Sequence, residues 1–256
     1  MKVVILAGGF GTRLAEETSS LPKPMVQIGT YPILWHIMKI YASHGFNEFV
    51  IALGYKAEIV KNYFLHYDDL SGDLTVDLRA GRVDKVRRHD EDWLVHLVDT
   101  GIATMTGGRI KRLENLLGNE TFMLTYGDGL CDVDIAALTT FHRARKAVAT
   151  ITAVRPPARF GNVAFDGAGK VVGFAEKHQS DEGWVNGGFM IMEPEIFRHL
   201  KSDADVLELD LLERLAAQGG LHAYKHEGFW QCMDTIRDRQ YLERLWASPQ
   251  CPWKRW

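Results

Sequence analysis

The chain has 256 residues, 46% hydrophobic and 25% charged, enough to bury the core of one large domain or two small ones. Lysine and arginine number 30 against 33 aspartate and glutamate, and this formal charge of −3 argues against a nucleic-acid partner. Three cysteines without a CxxC pair argue against a disulfide framework or a zinc knuckle. The apolar runs are too short for a signal peptide or a membrane span, so we expect a soluble cytoplasmic protein with no membrane partner.

The first part of the chain alternates short apolar segments with amphipathic ones. The pattern predicts strands at 3–6 and 49–53 and helices at 32–44 and 57–64. Such a βαβ rhythm predicts an α/β fold, with a Rossmann-like, mixed but mainly parallel sheet flanked by helices.

The rest of the chain is less regular but continues the same mixture. We predict strands at 74–78, 93–98, 122–125, 148–153 and 185–192, and helices at 109–117, 133–146, 207–217 and 236–246. The turn DGAGK predicts a β-hairpin from 163–165 to 171–174, while the charged stretch RVDKVRRHDED is typical of a solvated loop or hairpin tip. Without a repeat or linker, we expect a single domain, 1–256, with a small part rich in β-hairpins.

A glycine-rich loop follows the first predicted strand, where LAGGFGTRLAEETSSLPKPM fills positions 6–25. The carboxyl ends of strands are where α/β sheets bind ligands, and glycine lets backbone N–H groups approach a phosphate. The loop lacks the third glycine of the dinucleotide fingerprint and does not match GxxxxGK[ST]. From these glycines alone, a phosphate cradle and a simple tight turn remain equally open.

Two cations accompany this loop. Arg13 offers a planar fork suited to phosphate oxygens. Lys23 stands between Pro22 and Pro24, whose rings hold its backbone stiffly. We interpret the stretch as a flexible cradle that wraps a polyphosphate, followed by an ammonium group presented rigidly where negative charge builds up.

With its spacing after a first strand, GGFGTRL…PKPM resembles the signature of the sugar-phosphate nucleotidyltransferases. The resemblance covers nearly the whole chain. Within that family, the chain is similar to the cytidylyl branch, the glucose-1-phosphate cytidylyltransferases, and the segments that carry this similarity are PILWHIMKIY, LVDTG, MTGGRIKR, TYGDG, RFGNV, NGGF, GFWQCMDT and PWK. The resemblance implies CTP and glucose 1-phosphate as partners and Mg²⁺ as cofactor. It further implies a product that feeds deoxysugar and O-antigen synthesis, and a homo-oligomer, by resemblance a hexamer.

The resemblance also implies which residues form the site. The catalytic residues would be Arg13, Lys23, Asp128 and Asp234, and the last two would hold one Mg²⁺. The nucleotide would contact Leu6, Ala7, Gly8, Gly9, Phe10, Gly11, Thr12, Arg13, Lys23, Thr104, Arg109 and Gly127. The sugar phosphate would contact Glu176, Lys177, Asn186, Gly187 and Gly188. We expect the nucleotide-binding part near 1–130, the sugar-phosphate part near 131–240 and a C-terminal segment, a possible oligomer contact, near 241–256.

Several of these positions keep a second interpretation from the residues alone. Asp128 could be an ordinary turn aspartate, and Asp234 an N-cap for the helix expected at 236. Arg109 could be a surface residue at the head of its helix, after Gly107 and Gly108.

The sugar-side positions are open in the same way. Glu176 and Lys177 could form a solvated pair, and the glycines at 187–188 could mark a bulge. The family often has proline where this chain has His178 and Cys232, and we interpret Cys232 as a small buried hydrophobe.

Three other functions are weighed against the cytidylyl transfer. A related transferase would use dTTP, UTP or GTP. A regulatory nucleotide-binding module would keep the glycine loop but would not need Asp128 and Asp234 together with Glu176 and Lys177. A dehydrogenase is disfavoured by the failed fingerprint.

The C-terminal segment carries three large aromatic side chains, Trp246, Trp253 and Trp256. These are too many for a free tail, so we expect the core or another subunit to cover them.

Overall fold

A computed structural model of the chain describes residues 1–86, 90–156, 162–175 and 183–256. Its strands are β1 (Val3–Ala7), β2 (Gln27–Ile28), β3 (Tyr31–Pro32), β4 (Glu48–Leu53), β5 (Asp73–Asp77), β6 (Arg82–Val86), β7 (Leu94–Asp99), β8 (Phe122–Tyr126), β9 (Gly129–Cys131), β10 (Ala149–Val154), β11 (Asn162–Phe165), β12 (Val171–Ala175), β13 (Val185–Asn186), β14 (Met190–Met192), β15 (Leu221–His226) and β16 (Trp230–Cys232). Its α-helices are α1 (Ala15–Thr18), α2 (Ile33–Ala42), α3 (Ala57–Leu65), α4 (Tyr67–Ser71), α5 (Thr106–Arg112), α6 (Glu114–Leu117), α7 (Ile135–Arg145), α8 (Glu213–Ala217) and α9 (Ile236–Trp246). Within the described ranges, none of these helices combines the length and the apolar character that crossing a bilayer requires.

Eight strands of the described chain form one mixed sheet. β8, β1, β4 and β7 are parallel neighbours in that order. β14 pairs antiparallel with both β8 and β10, and β15 extends the sheet as a parallel partner of β10. The predicted α/β fold, with a mainly parallel sheet flanked by helices, is confirmed.

The first strand is buried on both faces, which explains its continuous apolar run. Val3, Ile5 and Ala7 pack into one core with α2 and the C-terminal aromatics. Val4 and Leu6 point into a second core with α5, α6 and the segment that leads into α8. Two helical layers therefore sandwich the sheet, as parallel strands require.

The helix predicted at 109–117 begins earlier and is divided in two. Gly107 and Gly108 lie inside α5 rather than before it. A Cβ on Gly107 would lie 2.8 Å from the Asp205 carbonyl oxygen, and one on Gly108 would lie 2.5 Å from that of Asp203. These glycines are there because the backbone of residues 203–205 packs directly on the helix.

Two further predicted elements change character. The helix predicted at 207–217 starts as a π-helix, Leu207–Leu212, and becomes α-helical only in α8. The strand predicted at 185–192 is divided into β13 and β14, where Gly188 and Phe189 take positive φ angles of 77° and 46°. Gly187 and Gly188 therefore lie where the predicted strand is interrupted, and their interpretation as a bulge stays a prediction. The DGAGK hairpin is confirmed, as β11 pairs with β12.

The charged stretch at 82–92 begins as a strand: β6 pairs with β5 in an exposed two-stranded hairpin. Residues 87–89 of this stretch lie outside the described residues.

The C-terminal segment packs against the core of its own chain. Thr235 and Asp238 form a reciprocal capping box at the start of α9, which ends at Trp246 as predicted. Trp253 is 1% exposed, and Trp246 and Trp256 pack partly buried around the same core. The prediction that these aromatics are covered is confirmed.

Candidate active site

A cleft of about 460 Å³ opens at the carboxyl ends of β1 and β8. The chain leaves β1 toward β4 on one side of the sheet and returns to β8 on the other, and such a reversal creates a binding crevice. The lining residues are Leu6, Ala7, Gly8, Gly9, Phe10, Gly11, Thr12, Lys23, Pro24, Ile102, Ala103, Thr104, Met105, Thr106, Arg109, Tyr126, Gly127, Asp128 and Glu208. The structure thus brings together the residues predicted to contact the nucleotide, except that the side chain of Arg13 lies outside the description.

Arg109 shapes the glycine loop from beneath. Its guanidinium is buried, and its Nη atoms donate to the carbonyl oxygens of Gly8, Leu53, Gly101 and Ile102 and to Thr100 Oγ1. A Cβ on Gly8 would lie 2.2 Å from Arg109 Nη1, and one on Gly54 would lie 2.5 Å from it. The interpretation of Arg109 as a surface residue is wrong, because the guanidinium group is buried and its hydrogen bonds connect three loops at the cleft.

Lys23 joins two carboxylates at one side of the cleft. Its Nζ donates to Asp128 Oδ2 at 2.6 Å and to Asp234 Oδ1 at 2.7 Å. The side chain of Lys23 is 9% exposed, against 26% for Asp128 and 10% for Asp234. Burial by itself would lower the pKa of Lys23, but the two carboxylates outweigh it and raise that pKa above its ordinary value.

A short antiparallel pair of strands, distant in sequence, brings the two aspartates together. β9 follows Asp128 and pairs with β16, which precedes Asp234, in a register that puts Gly129 opposite Cys232. Met233 N donates to the Asp128 carbonyl oxygen at 2.8 Å and closes the pairing. The turn-aspartate interpretation of Asp128 misses this ion pair.

Asp234 is not the N-cap of the last helix. Thr235 takes that place, and its side chain accepts from Asp238 N. The capping interpretation of Asp234 is therefore wrong, and its carboxylate is directed to Lys23 instead.

The donor set beside Lys23 suits a hard divalent cation. Two carboxylate oxygens converge on a single point, which the ammonium nitrogen fills at 2.6 and 2.7 Å. Burial, followed by the charges of Asp234 and Asp128, raises the pKa of the neighbouring Cys232 thiol to about 12, which favours its protonated form. Asp128 and Asp234 thus fit the metal-binding role expected of them, which stays a prediction.

The residues predicted for the sugar side are only partly described. Asn186 Nδ2 donates to the Tyr126 hydroxyl at 3.2 Å, and this hydroxyl group belongs to a residue of the cleft. Gly188 packs on the same ring, and Trp230 Nε1 donates to the Gly187 carbonyl oxygen at 2.8 Å. Glu176, Lys177 and His178 lie outside the described residues.

Sequence reasoning missed a carboxylate in the lining. Glu208 accepts a 2.5 Å hydrogen bond from the Tyr126 hydroxyl at Oε1 and one of 3.2 Å from Thr106 Oγ1 at Oε2. It lies in the π-helix, and such irregular turns are frequent at functional sites. No sequence pattern points to Glu208 as a cleft residue, because its segment has the spacing of an ordinary amphipathic helix.

This cleft is that of a nucleotidyl transferase: the family model of that description matches residues 2–237, so the chain belongs to the family. Within the family, the glucose-1-phosphate cytidylyltransferase of Salmonella typhi is 49% identical over 257 residues, covering 100% of each chain. The probable glucose-1-phosphate cytidylyltransferase of Bacillus subtilis is 42% identical over 258 residues, again covering 100% of each.

Solved structures share the fold. The crystal structure of HddC from Yersinia pseudotuberculosis superposes with a TM-score of 0.65 at 24% identity, and covers 96% of this chain and 99% of that one.

Proposed function

We propose that this protein transfers a cytidylyl group from CTP to α-D-glucose 1-phosphate, giving CDP-glucose and pyrophosphate. The observation that carries the proposal is the ammonium of Lys23 held between Asp128 and Asp234 beside a glycine-lined cleft. The names of relatives that match the whole chain at 49% and 42% identity support the choice of nucleotide and sugar.

The reaction needs charge compensation more than proton transfer. A phosphate oxygen of glucose 1-phosphate attacks the α-phosphorus of CTP, the new P–O bond forms, and the bond to the β-phosphate oxygen breaks. The nucleophile is already an anion at neutral pH, so no general base is required. The protein must instead bring two polyanions together in line and stabilise charge on the transferring group.

The residues of the cleft divide this work. The backbone N–H groups of the glycine loop and the Arg13 fork would hold the β- and γ-phosphates and orient the leaving pyrophosphate. Lys23 would contact the α-phosphate, where the transition state gains charge. Arg109 would keep the loop in shape through the carbonyl oxygens that it binds.

Asp128 and Asp234 would hold Mg²⁺, because their carboxylate oxygens already face a common cationic point. When bound there, the ion supplies neutralisation of phosphate charge. Glu176, Lys177, Asn186, Gly187 and Gly188 remain the residues proposed for the sugar phosphate, with Lys177 on its phosphate and Glu176 on its hydroxyls.

The choice of base rests on hydrogen-bond matching. Cytosine carries an exocyclic amine where uracil and thymine carry a carbonyl group, so a site built for one leaves polar groups unpaired with another. A mismatch at a buried donor or acceptor costs about 1–3 kcal/mol, equivalent to a selectivity of about tenfold to over a hundredfold.

The test is pyrophosphate release from CTP, UTP, dTTP and GTP, each at a concentration below KM, with and without glucose 1-phosphate. We expect release from CTP at least about tenfold faster than from the others, and only when the sugar phosphate is present.

The other outcomes separate the alternatives. Equal turnover of dTTP and CTP would remove the cytidylyl assignment and leave the transferase. Nucleotide binding without pyrophosphate release from any of the four would favour the regulatory module.

A further inference from the structure

The position of the Lys23 side chain has a consequence for how a metal reaches the site. The two carboxylates beside it contribute two negative charges, and one ammonium group bridges them through oxygens at 2.6 and 2.7 Å. A divalent cation bound by the same two oxygens would have to occupy the same point. Two cations cannot share it, because at contact distance in a partly buried site their repulsion is several kcal/mol.

The backbone of Lys23 cannot move aside to make room. Pro22 and Pro24 restrict it, and residues 23–25 form a 3-10 turn closed by the bond from Met25 N to the Pro22 carbonyl oxygen at 2.8 Å. Only the flexible end of the side chain can leave the carboxylates. Its stem lies against the glycine loop, since a Cβ on Gly11 would lie 3.2 Å from Lys23 Cβ.

The Lys23 ammonium group therefore has an alternative anionic partner only when phosphate is present. A triphosphate on the glycine loop offers new anionic oxygens next to the stem of Lys23. Without one, leaving Asp128 and Asp234 would strand a partly buried charge.

We propose that Lys23 acts as a built-in cation that closes the divalent-metal site of the nucleotide-free protein and vacates it when the triphosphate binds. This inference rests on the proposed function. It makes metal and nucleotide binding mutually dependent: each binds weakly until the other removes, or takes the place of, the ammonium. A metal ion alone binds poorly, although two well-placed carboxylates face it.

The test measures Mn²⁺ binding to nucleotide-free protein, by electron paramagnetic resonance of the unbound ion. We expect Mn²⁺ to bind weakly to the wild-type protein and at least about tenfold more tightly to the Lys23→Met variant. A roughly tenfold change in affinity is an ordinary size for coupling between two ligands. Lys39→Met is the matched control. Lys39 pairs with Glu91 at 3.3 Å, outside the lining of the cleft, and its loss should leave Mn²⁺ affinity unchanged.

Two additional variants sharpen the test. The double variant Lys23→Met with Asp128→Asn should lose the increase in Mn²⁺ affinity. This loss would locate the Mn²⁺ site at these carboxylates. Lys23→Gln serves if the methionine variant does not fold, and circular dichroism checks both. Mn²⁺ affinity that is the same in wild-type protein and in folded position-23 variants would overturn the proposal.

The result is independent of the reaction. Mn²⁺ is titrated without nucleotide or sugar, so turnover of UTP in place of CTP would change the proposed function and leave this outcome intact. Conversely, a protein that makes CDP-glucose but binds Mn²⁺ equally with and without Lys23 would retain its function and lose this mechanism.

Discussion

Trp253 donates from Nε1 to Nδ1 of His36 at 3.4 Å, which joins the C-terminal segment to α2. On the other side of the ring, His36 Nε2 lies 2.9 Å from the Ile28 carbonyl oxygen, so Nε2 carries the proton and Nδ1 accepts. Both ring nitrogens are satisfied only in the neutral form. Adding a proton to Nδ1 would direct it at another donor inside the core.

This arrangement predicts acid sensitivity. Burial lowers the pKa of His36 from 6.5 to about 4, so the unfolded chain binds a proton between these pH values and the folded one does not. The contribution of His36 to the free energy of unfolding is therefore fully present above pH 6.5. It falls by roughly 3 kcal/mol as the pH drops toward 4. Urea unfolding from pH 7.5 to 4.5 measures the slope. His36→Gln should flatten it, whereas His66→Gln, at an exposed histidine, should not.

Lys23→Ala should lower turnover by about 10²–10³, by analogy with the loss of one contact to transition-state charge. CTP affinity should fall less, since the glycine loop still holds the triphosphate. From the sequence alone we expect a surface lysine whose loss leaves folding nearly unchanged, but the surface position is wrong, because the Lys23 side chain is 9% exposed and paired with two carboxylates. Stability should fall by about 1–3 kcal/mol. Steady-state kinetics, CTP titration and thermal melting on one preparation check all three, and near-wild-type turnover would exclude the α-phosphate role.

Gly8→Ala should destabilise the protein, because the new Cβ would lie 2.2 Å from a guanidinium group that is buried and hydrogen-bonded on several sides. Displacing Arg109 leaves carbonyl oxygens unpaired, at a cost of about 1–3 kcal/mol. Gly9→Ala is the matched control for melting, since nothing lies within 4 Å of a Cβ there. Equal melting temperatures for the two variants would mean that Arg109 adapts freely.

Glu208→Ala should lower kcat/KM about tenfold, because Tyr126 and Thr106 both lose their acceptor inside the cleft. Glu208→Gln keeps the size of the side chain and should recover part of the loss. Glu213→Ala, at an exposed glutamate of the following helix turn, should leave kcat/KM unchanged. Steady-state kinetics with CTP and glucose 1-phosphate varied in turn checks this. A Glu208→Ala variant with the kcat/KM of the wild-type enzyme would contradict a role for Glu208 in the reaction.

The homo-oligomer expected from the family resemblance stays a prediction, and the exposed β5–β6 hairpin is the surface on which we test it. Val76 and Val83 face each other across this hairpin and are 55% and 49% exposed. Light scattering at micromolar concentration should give a multiple of 29.0 kDa, and Val76→Glu with Val83→Glu should reduce it. Val172→Glu, on the other exposed hairpin, is the control. A monomeric wild-type mass would contradict the prediction.

The elements that the sequence predicts well are those with a local cause. The apolar run of β1 and the amphipathic pattern of α9 depend on near neighbours, so both elements are predicted within a residue or two, although the cap of α9 is Thr235 rather than Asp234. The glycines in α5 mislead because the backbone of residues 203–205 packs against them, and the glycines at 187–188 mislead because side chains of β8 and β10 lie against them.

By itself, the sequence determined the alternation of strands and helices, the glycine loop and the stiff presentation of Lys23, because hydrophobic period, glycine freedom and proline rings act over a few residues. Only the tertiary structure decided what Lys23 meets: Asp128 lies 105 residues away and Asp234 lies 211 away. The same holds for Arg109 beneath the loop and for Glu208 in the cleft. Contacts of this range depend on the pairing of whole strands and on close packing, and no local pattern encodes either.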